Sequence, residues 1–257
     1  MQAAVVNQID QMSNGAQERK VGVVTFNNEV TMIGDGTKNP EVITGDKLNN
    51  FDYLVENAQK KAATMMSKSV KETSKVLQDK VMGIEETGPT ALGPAVLSSV
   101  ALAAEGKPGS TVIICTDGLA NIGLGAFDEV KTDEDREKVQ EFYERVGLLA
   151  KEKGVTINLI SIKGDECNID GLQAMVDMTG GNIERVSPET LTQDFANILS
   201  KPVIATGVQV KVKLHKGLTF RNEPALNLSH ENTLLTKDRG NVTEDDVFTF
   251  EYTIKSI

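Results

Sequence analysis

The stretch "VIICTDGLANIGLG", residues 112–125, runs from three aliphatic side chains through Cys115 and Thr116 to Asp117, then places three glycines within eight residues. A short apolar run bounded by turn residues predicts a strand covered on both faces, as inside a parallel sheet. Asp117 stands at its carboxyl end. In an open α/β sheet ligands bind in the crevice outside the carboxyl ends of the strands, so this carboxylate is expected to face a site.

Strands and helices alternate around that stretch. "GPTALGPAVLSSVALAAEG" predicts a helix that starts near Thr90 and ends at Gly106, and "DEDREKVQEFYERVGLLAKEKG" is amphipathic, acidic at its start and basic at its end, in line with the helix dipole. "VTINLISI" is the next buried strand. "DGLQAMVDMTGG" and "SPETLTQDFANIL" predict two short helices around a small strand at 182–186, with Ser187 and Thr190 as candidate caps. Upstream, "MQAAVVNQIDQMSNG" spaces Ala4, Val5, Ile9 and Met12 as a helix does and stops at Asn14-Gly15. "KVGVVTFNNEVTMIGDG" reads as a hairpin of strands 21–26 and 30–33 about Asn27-Asn28, and residues 46–83 as two helices. The expected fold class is α/β, a doubly wound and mostly parallel sheet with helices on both faces.

Beyond Pro202 the pattern changes to period two in "GVQVKVKLH", "LTFRN" and "DVFTFEYTIK", the signature of half-exposed antiparallel strands. A boundary near residue 203 is expected, with an α/β domain over 1–203 and a partial β-sandwich extension over 204–257. The polar middle "SHENTLLTKDRGNVTEDD" leaves that extension few strands.

Composition narrows the function. There are 27 Lys and Arg against 37 Asp and Glu, a net charge of −10, which argues against general attraction to nucleic acid or anionic lipid. No apolar run reaches the eighteen or so residues of a membrane span. Cys115 and Cys167 have no metal-ligand spacing, and Cys115 reads as a small buried thiol in a strand. With no secretory signal, a reducing, cytoplasmic setting is expected, and the sequons at Asn227 and Asn241 matter only in a secreted protein.

Thr90, in Gly88-Pro89-Thr90-Ala91-Leu92, opens the helix that precedes the strand ending at Asp117. A hydroxyl and a carboxylate on one rim are hard oxygen ligands of the kind Mg²⁺ prefers. "ETGPTALGPAVLSSVALA" followed by "GKPGSTVIICTDGLANIGLG" resembles the von Willebrand factor A domain family, whose metal-ion-dependent adhesion site combines an Asp-x-Ser-x-Ser loop with a later Thr and a later Asp. The hairpin and element order to about residue 200 extend the resemblance over roughly four-fifths of the chain. It implies Thr90 as the threonine ligand, Asp117 as the water-bridged acid, and Gly118 and Asn121 as neighbouring positions on a partner-binding rim. It also implies Mg²⁺ as cofactor and a protein partner that offers an Asp or Glu carboxylate. Protein–protein interaction, not catalysis, is the function expected.

The family's Asp-x-Ser-x-Ser follows a first, central strand, whereas this chain begins in what resembles the helix after it. Asp10-Gln11-Met12-Ser13 has the wrong spacing and reads as a solvated helix end. The expectation is therefore a chain lacking its first strand and metal loop. Mg²⁺ affinity should then be weak or absent, and unpaired edges should remain on strands 21–26 and 111–116. Within the family, the layout resembles intracellular members, the vesicle inner-coat trunks and the segment found in circularly permuted Ras-like proteins, and "TDGLANIGLGAFDE" inclines towards the latter. In such proteins strands after the domain pair with strands before it.

Competing readings exist for each feature. Thr90 is also a favoured N-cap residue, and Asp117 a turn carboxylate bonding the following amides. "GKPGST", residues 106–111, has phosphate-loop residue types but ends a helix and opens a strand, the reverse of what such a loop requires. Gly34-Asp35-Gly36-Thr37 reads as the turn after the hairpin. His215 and His230 lie in the β extension without a nucleophile elbow, and Cys167 has no local basic partner to activate it. Met65, Met66 and Met82 read as core filler or surface contact. A metal-independent structural module is the rival class, and a nucleotide- or phosphoester-processing α/β enzyme the third.

Overall fold

The structure, a computed structural model, describes residues 1–85, 88–116, 119–128, 130–162, 169–187, 190–200 and 203–255. The opening helix α1 (Gln2–Gly15) buries Ala4, Gln8 and Ile9 and ends where Ala16 N–H returns to the Met12 carbonyl. A hairpin follows, β1 (Val23–Phe26) against β2 (Val30–Gly34), with Phe26 opposite Val30 and a register irregularity at Val23. β3 (Glu41–Ile43) adds a third antiparallel strand on β2, which the hairpin reading had not included.

The segment 46–83 resolves into a 3₁₀ turn at Gly45–Asn49 and two helices, α2 (Phe51–Met65) and α3 (Val70–Met82). The Asn50 side chain caps α2 by accepting the Tyr53 N–H at 2.9 Å. Asp35 ties these pieces together. Its carboxylate is fully buried and accepts from Thr37 N–H and hydroxyl, from Ser67 N–H and hydroxyl, and from Lys68 N–H. The turn after the hairpin and the turn between α2 and α3 thus share one charged acceptor. Burial pushes the carboxyl's pKa up, but the bonds from Thr37, Lys68 and Ser67 outweigh it and hold the group below the usual carboxylate value.

Helix α4 (Leu92–Ala104) is nearly all small and apolar, and most of it is buried. It leads into β4 (Ser110–Thr116), α5 (Asp133–Glu152), β5 (Val155–Ile162), α6 (Ile169–Met178), β6 (Ile183–Val186) and α7 (Leu191–Ser200). Strands β4, β5 and β6 form a parallel sheet in that order, with Ser110 opposite Val155 and Leu159 opposite Ile183. Successive side chains of β4 go to opposite layers. Val112 and Ile114 join a core built with α2, α4, α5 and α6, whereas Ile113 and Cys115 lie with Ala4 of α1 and Leu191 and Phe195 of α7. The fold is α/β, a parallel sheet flanked by helices with small antiparallel sheets, and seven α-helices are present among the described residues.

β1 and β4 each carry a ladder on one side only, and no described ladder joins them. Helices nonetheless bridge them from both faces. Val5 of α1 packs against the same buried cluster as Val23 of β1 and against that of Ile113 and Cys115 of β4, and on the other face α4 shares a core with Val24 and Phe26 of β1 and Val112 and Ile114 of β4.

Beyond the α/β body, β7 (Val203–Lys213) pairs with β10 (Leu234–Thr243), which also holds the short β9 (Leu228–Ser229), while β8 (Leu218–Arg221) pairs with β11 (Glu251–Ile254). β10 therefore runs through the stretch that composition marked as a polar middle. Its hydrophilic side chains suit a strand with one wet face. Asn241 docks this sheet onto the body, its amide nitrogen donating to Gly154 O at 3.0 Å and to Thr156 Oγ1 at 2.7 Å. Gly180 lies so near the Asn241 carbonyl that a Cβ there would collide with it.

Candidate functional site

Three segments converge at Thr90. The hairpin tip closes on itself, Asn27 N–H donating to Glu29 O and Glu29 N–H to Asn27 Oδ1, both at 3.0 Å, and the Asn27 carbonyl accepts Ala91 N–H at 2.7 Å. The loop after β4 supplies the third side. Thr90 N–H donates to Asn121 Oδ1 at 2.5 Å, and the Thr90 carbonyl accepts Asn121 N–H at 3.0 Å and Ile122 N–H at 3.4 Å. Asn121 thus grips the Thr90 peptide from both sides.

Helix α4 begins at Leu92 with Ala91 in the cap position and no capping side chain, which corrects the expectation that Thr90 starts the helix and removes its reading as an N-cap. The helix end closes in another way: Pro94 occupies the first turn, where a missing N–H costs nothing. The Thr90 hydroxyl has no hydrogen-bond partner among the described residues and is half-buried at the rim.

The loop 119–128 is held as a built structure. Leu124 N–H reaches Leu48 O at 3.2 Å, Phe127 N–H reaches Ala120 O at 2.7 Å, and the buried Tyr143 hydroxyl donates to Gly125 O at 3.0 Å. Phe127 stacks on the Tyr143 ring at 5.8 Å between centroids. Gly93 lets α4 approach this loop, since a Cβ there would run into the Leu124 carbonyl. Sequence reasoning reached Thr90 and Asn121 but missed Asn27, Leu48, Gly93 and Tyr143. A tyrosine on the buried face of an amphipathic helix was the available signal, because a buried phenol needs an acceptor.

Asp117 and Gly118 lie outside the described residues, as does Cys167. Of the four sequence-identified positions, the structure brings Thr90 and Asn121 together, through backbone and one side-chain amide. Among the described residues no group of three or more His, Cys, Asp or Glu could hold a metal ion. Of the two oxygen ligands that the resemblance implies, Thr90 and Asp117, the described residues include Thr90. Beneath the rim, burial pushes the Cys115 thiol up to about 12, so it is a structural thiol without nucleophilic character.

The other sequence features find ordinary places. Gly106 to Ser110 join α4 to β4, with the Ser110 hydroxyl donating to Lys107 O at 2.7 Å, so the phosphate-loop residue types sit after a helix and before a strand. Ser13 donates to Asp10 O at 2.8 Å on an exposed helix end. The Ser187 and Thr190 hydroxyls lie 3.4 Å apart before α7, and Thr190 Oγ1 donates to the Ser187 carbonyl. No helix among the described residues is long and apolar enough to cross a membrane.

Against known proteins, no family model matches the sequence. The circularly permutated Ras protein 1 of Dictyostelium discoideum is 32% identical over 271 aligned positions, covering 99% of this chain and 32% of that protein. The chain thus spans about a third of the length of the relative it matches. Among solved structures, the human COPII-coat protein Sec24c aligns over 99% of this chain and 38% of its own, with a TM-score of 0.62 at 12% identity. That likeness is one of fold. The proximal thread matrix protein 1 of the mussel byssus aligns over 83% of this chain and 42% of its own, with a TM-score of 0.46 at 16% identity.

Proposed function

We propose that this chain is a protein-interaction module of von Willebrand A type, which meets its partner at the carboxyl-end rim and binds instead of catalysing. The observation that carries the reading is the convergence of hairpin tip, Thr90 segment and loop 119–128, joined by four backbone and amide hydrogen bonds while the Thr90 hydroxyl has no partner among the described residues. A rigid rim with one uncommitted polar group is a preorganised contact surface. The fold shared with a vesicle-coat protein is consistent with such a role and with a cytoplasmic setting.

In the finer form of the proposal, Mg²⁺ in the intact protein is held partly by Thr90 and Asp117, and the partner's Asp or Glu carboxylate completes its shell. Among the described residues β1 and β4 each lack a ladder on one edge beneath helices that cover both faces, so an apolar strand between them would pair both.

The metal-independent alternative has its own support. β11 is exposed along its whole length, including Tyr252 and Ile254, and offers an apolar contact surface. A nucleotide-processing reading draws on the name of the Dictyostelium relative alone.

Affinity capture from cell extract separates these readings when wild type is compared with Thr90→Ala and with Tyr252→Ser, each with and without chelator. Partners lost on Thr90→Ala and on chelation support the cation-dependent rim. Loss on Tyr252→Ser with no chelator effect supports the alternative, and turnover of GTP by the pure protein would overturn both.

A further inference from the structure

Strand β11 has one edge in a ladder and one edge open. It pairs with β8 so that Glu251 stands opposite Arg221, Tyr252 opposite Phe220, Thr253 opposite Thr219 and Ile254 opposite Leu218. Bonded and non-bonded pairs alternate along an antiparallel ladder, and Lys255 N–H donates to Gly217 O at 2.9 Å. Glu251, Thr253 and Lys255 therefore direct their main-chain groups at β8, while Tyr252 and Ile254 turn theirs to the open side. On β8 the alternation agrees, since Phe220 N–H points away from β11 and donates to Asn232 O at 3.0 Å. The far edge of β8 is thus met, and the far edge of β11 carries no ladder among the described residues. Side chains show the same incompleteness. Leu218 and Phe220 share a face with Tyr252 and Ile254, yet Tyr252 is 57% and Ile254 77% exposed. The aromatics just before the strand have partners within the chain, Phe250 meeting Phe220 edge-on at 5.7 Å and Arg239 lying over Phe248 at 4.8 Å. A two-stranded ribbon is marginal in water and gains from further strands.

The edge reads Glu251-Tyr252-Thr253-Ile254-Lys255, which is complementary to its own reverse. We propose that β11 pairs antiparallel with β11 of a second copy of this chain, about a twofold axis at Thr253. That register sets Glu251 opposite Lys255 of the second copy, Tyr252 opposite Ile254, and Thr253 opposite its equivalent. Tyr252 and Ile254 form the bonded pairs, as the outward direction of their N–H and C=O groups requires, and the two pairs supply four main-chain hydrogen bonds. Two aromatic contacts with a β-branched residue and two ion pairs join them across the axis. Moving the axis to Tyr252 or to Ile254 keeps bonded pairs but leaves Glu251 and Lys255 opposite threonine, so charge selects the register. Glu251 accepts from Asn222 at 2.7 Å and Lys255 donates to Glu231 at 3.1 Å, and each retains a further oxygen or hydrogen for the pair across the axis. An edge lysine deters an uncharged strand, whereas a second copy answers it with an acid. The pairing does not depend on what binds at the Thr90 rim.

The test is sedimentation equilibrium of the 257-residue protein from about 1 to about 100 μM, with folding checked by circular dichroism. The mass is expected to rise with concentration from 27.8 kDa towards twice that value. Ile254→Pro removes an outward N–H and spares the ladder to β8, so this variant should stay folded and monomeric. Lys255→Glu sets two acids face to face and Glu251→Lys two bases. Each alone should dimerise at least about tenfold more weakly, and a one-to-one mixture should recover the dimer. Thr253→Cys places two thiols on the axis, where the Cα atoms of a non-bonded pair stand about 4.5 Å apart, within disulfide reach. Oxidation should link that variant into a dimer even if a charge variant fails to fold, and should leave the wild type, with Cys115 and Cys167 alone, unlinked. A wild-type mass constant at 27.8 kDa overturns the proposal. So does a dimer that survives Ile254→Pro, or a mixture of the two charge variants that stays monomeric.

Discussion

Replacing Asn121 by Ala removes the acceptor of the Thr90 N–H and leaves that donor half-buried beside α4. An unmet buried donor costs about 1–3 kcal/mol, and the partial exposure of the site places the expected loss at about 1–2 kcal/mol. For a chain of this size each kcal/mol moves the melting temperature by about 2–4 °C, so a drop of about 2–8 °C is expected. Local opening should change more specifically than the global transition. Amide exchange at Thr90 should accelerate by roughly 5- to 30-fold, and so should that of Asn121 and Ile122, whose N–H groups meet the Thr90 carbonyl. Asn121→Asp keeps an oxygen in place and should hold both protection and melting temperature near wild type. Unchanged exchange at Thr90 in Asn121→Ala would refute the clasp, and a collapse of Asn121→Asp to the alanine level would show that shape, not the accepted bond, matters.

Asp35→Ala deprives five donors of one buried acceptor and should cost about 3–5 kcal/mol, measurable by urea denaturation, whereas a loss under 1 kcal/mol would contradict the hub assigned to it. Because the folded-state pKa of Asp35 lies below the ordinary value of 3.8, its contribution is complete above that value and fades as pH falls through the lower folded one. The wild type should therefore lose stability more steeply than Asp35→Ala over that acidic range. Gly180→Ala forces a Cβ into the Asn241 carbonyl and should destabilise by about 1–3 kcal/mol, with the loss read at the joint between body and extension by limited proteolysis after β6. Cys115 should resist alkylation at pH 8 in the folded protein and react only after denaturation, as peptide mapping would show; modification at the rate of a free thiol would contradict its burial.

The order of elements was legible because helix and strand periodicities are strong in this chain. The alternation in β4 even announces two differently covered faces, and Val112, Ile114 and Cys115 go where period two sends them. β3 and β10 were not legible. β3 has three residues with one mostly buried face, too short for any periodicity, and β10 carries Lys237, Asp238 and Arg239 in succession because one side of it faces water. At the rim, residue types pointed to Thr90 and Asn121, since each bears chemistry. Its supporting contacts fall on main-chain atoms of Asn27, Leu48 and Gly125, and a carbonyl is present at every position regardless of the side chain.

That reliance on the main chain explains how a rim can keep its shape while its side chains change. Three of the bonds at Thr90 run to or from backbone atoms of the loop after β4 and of the hairpin tip, and a single side-chain amide completes the set. Substitution of most surrounding side chains leaves those bonds intact provided that the close approaches at Gly93 and Gly123 survive. The joint between the α/β body and the β extension follows the opposite rule. There the Asn241 side-chain amide donates to Gly154 O and Thr156 Oγ1, so a single substitution alters the docking of the extension. The rim is thus the place where geometry is robust to side-chain substitution, and the joint is the place where docking rests on the Asn241 side chain.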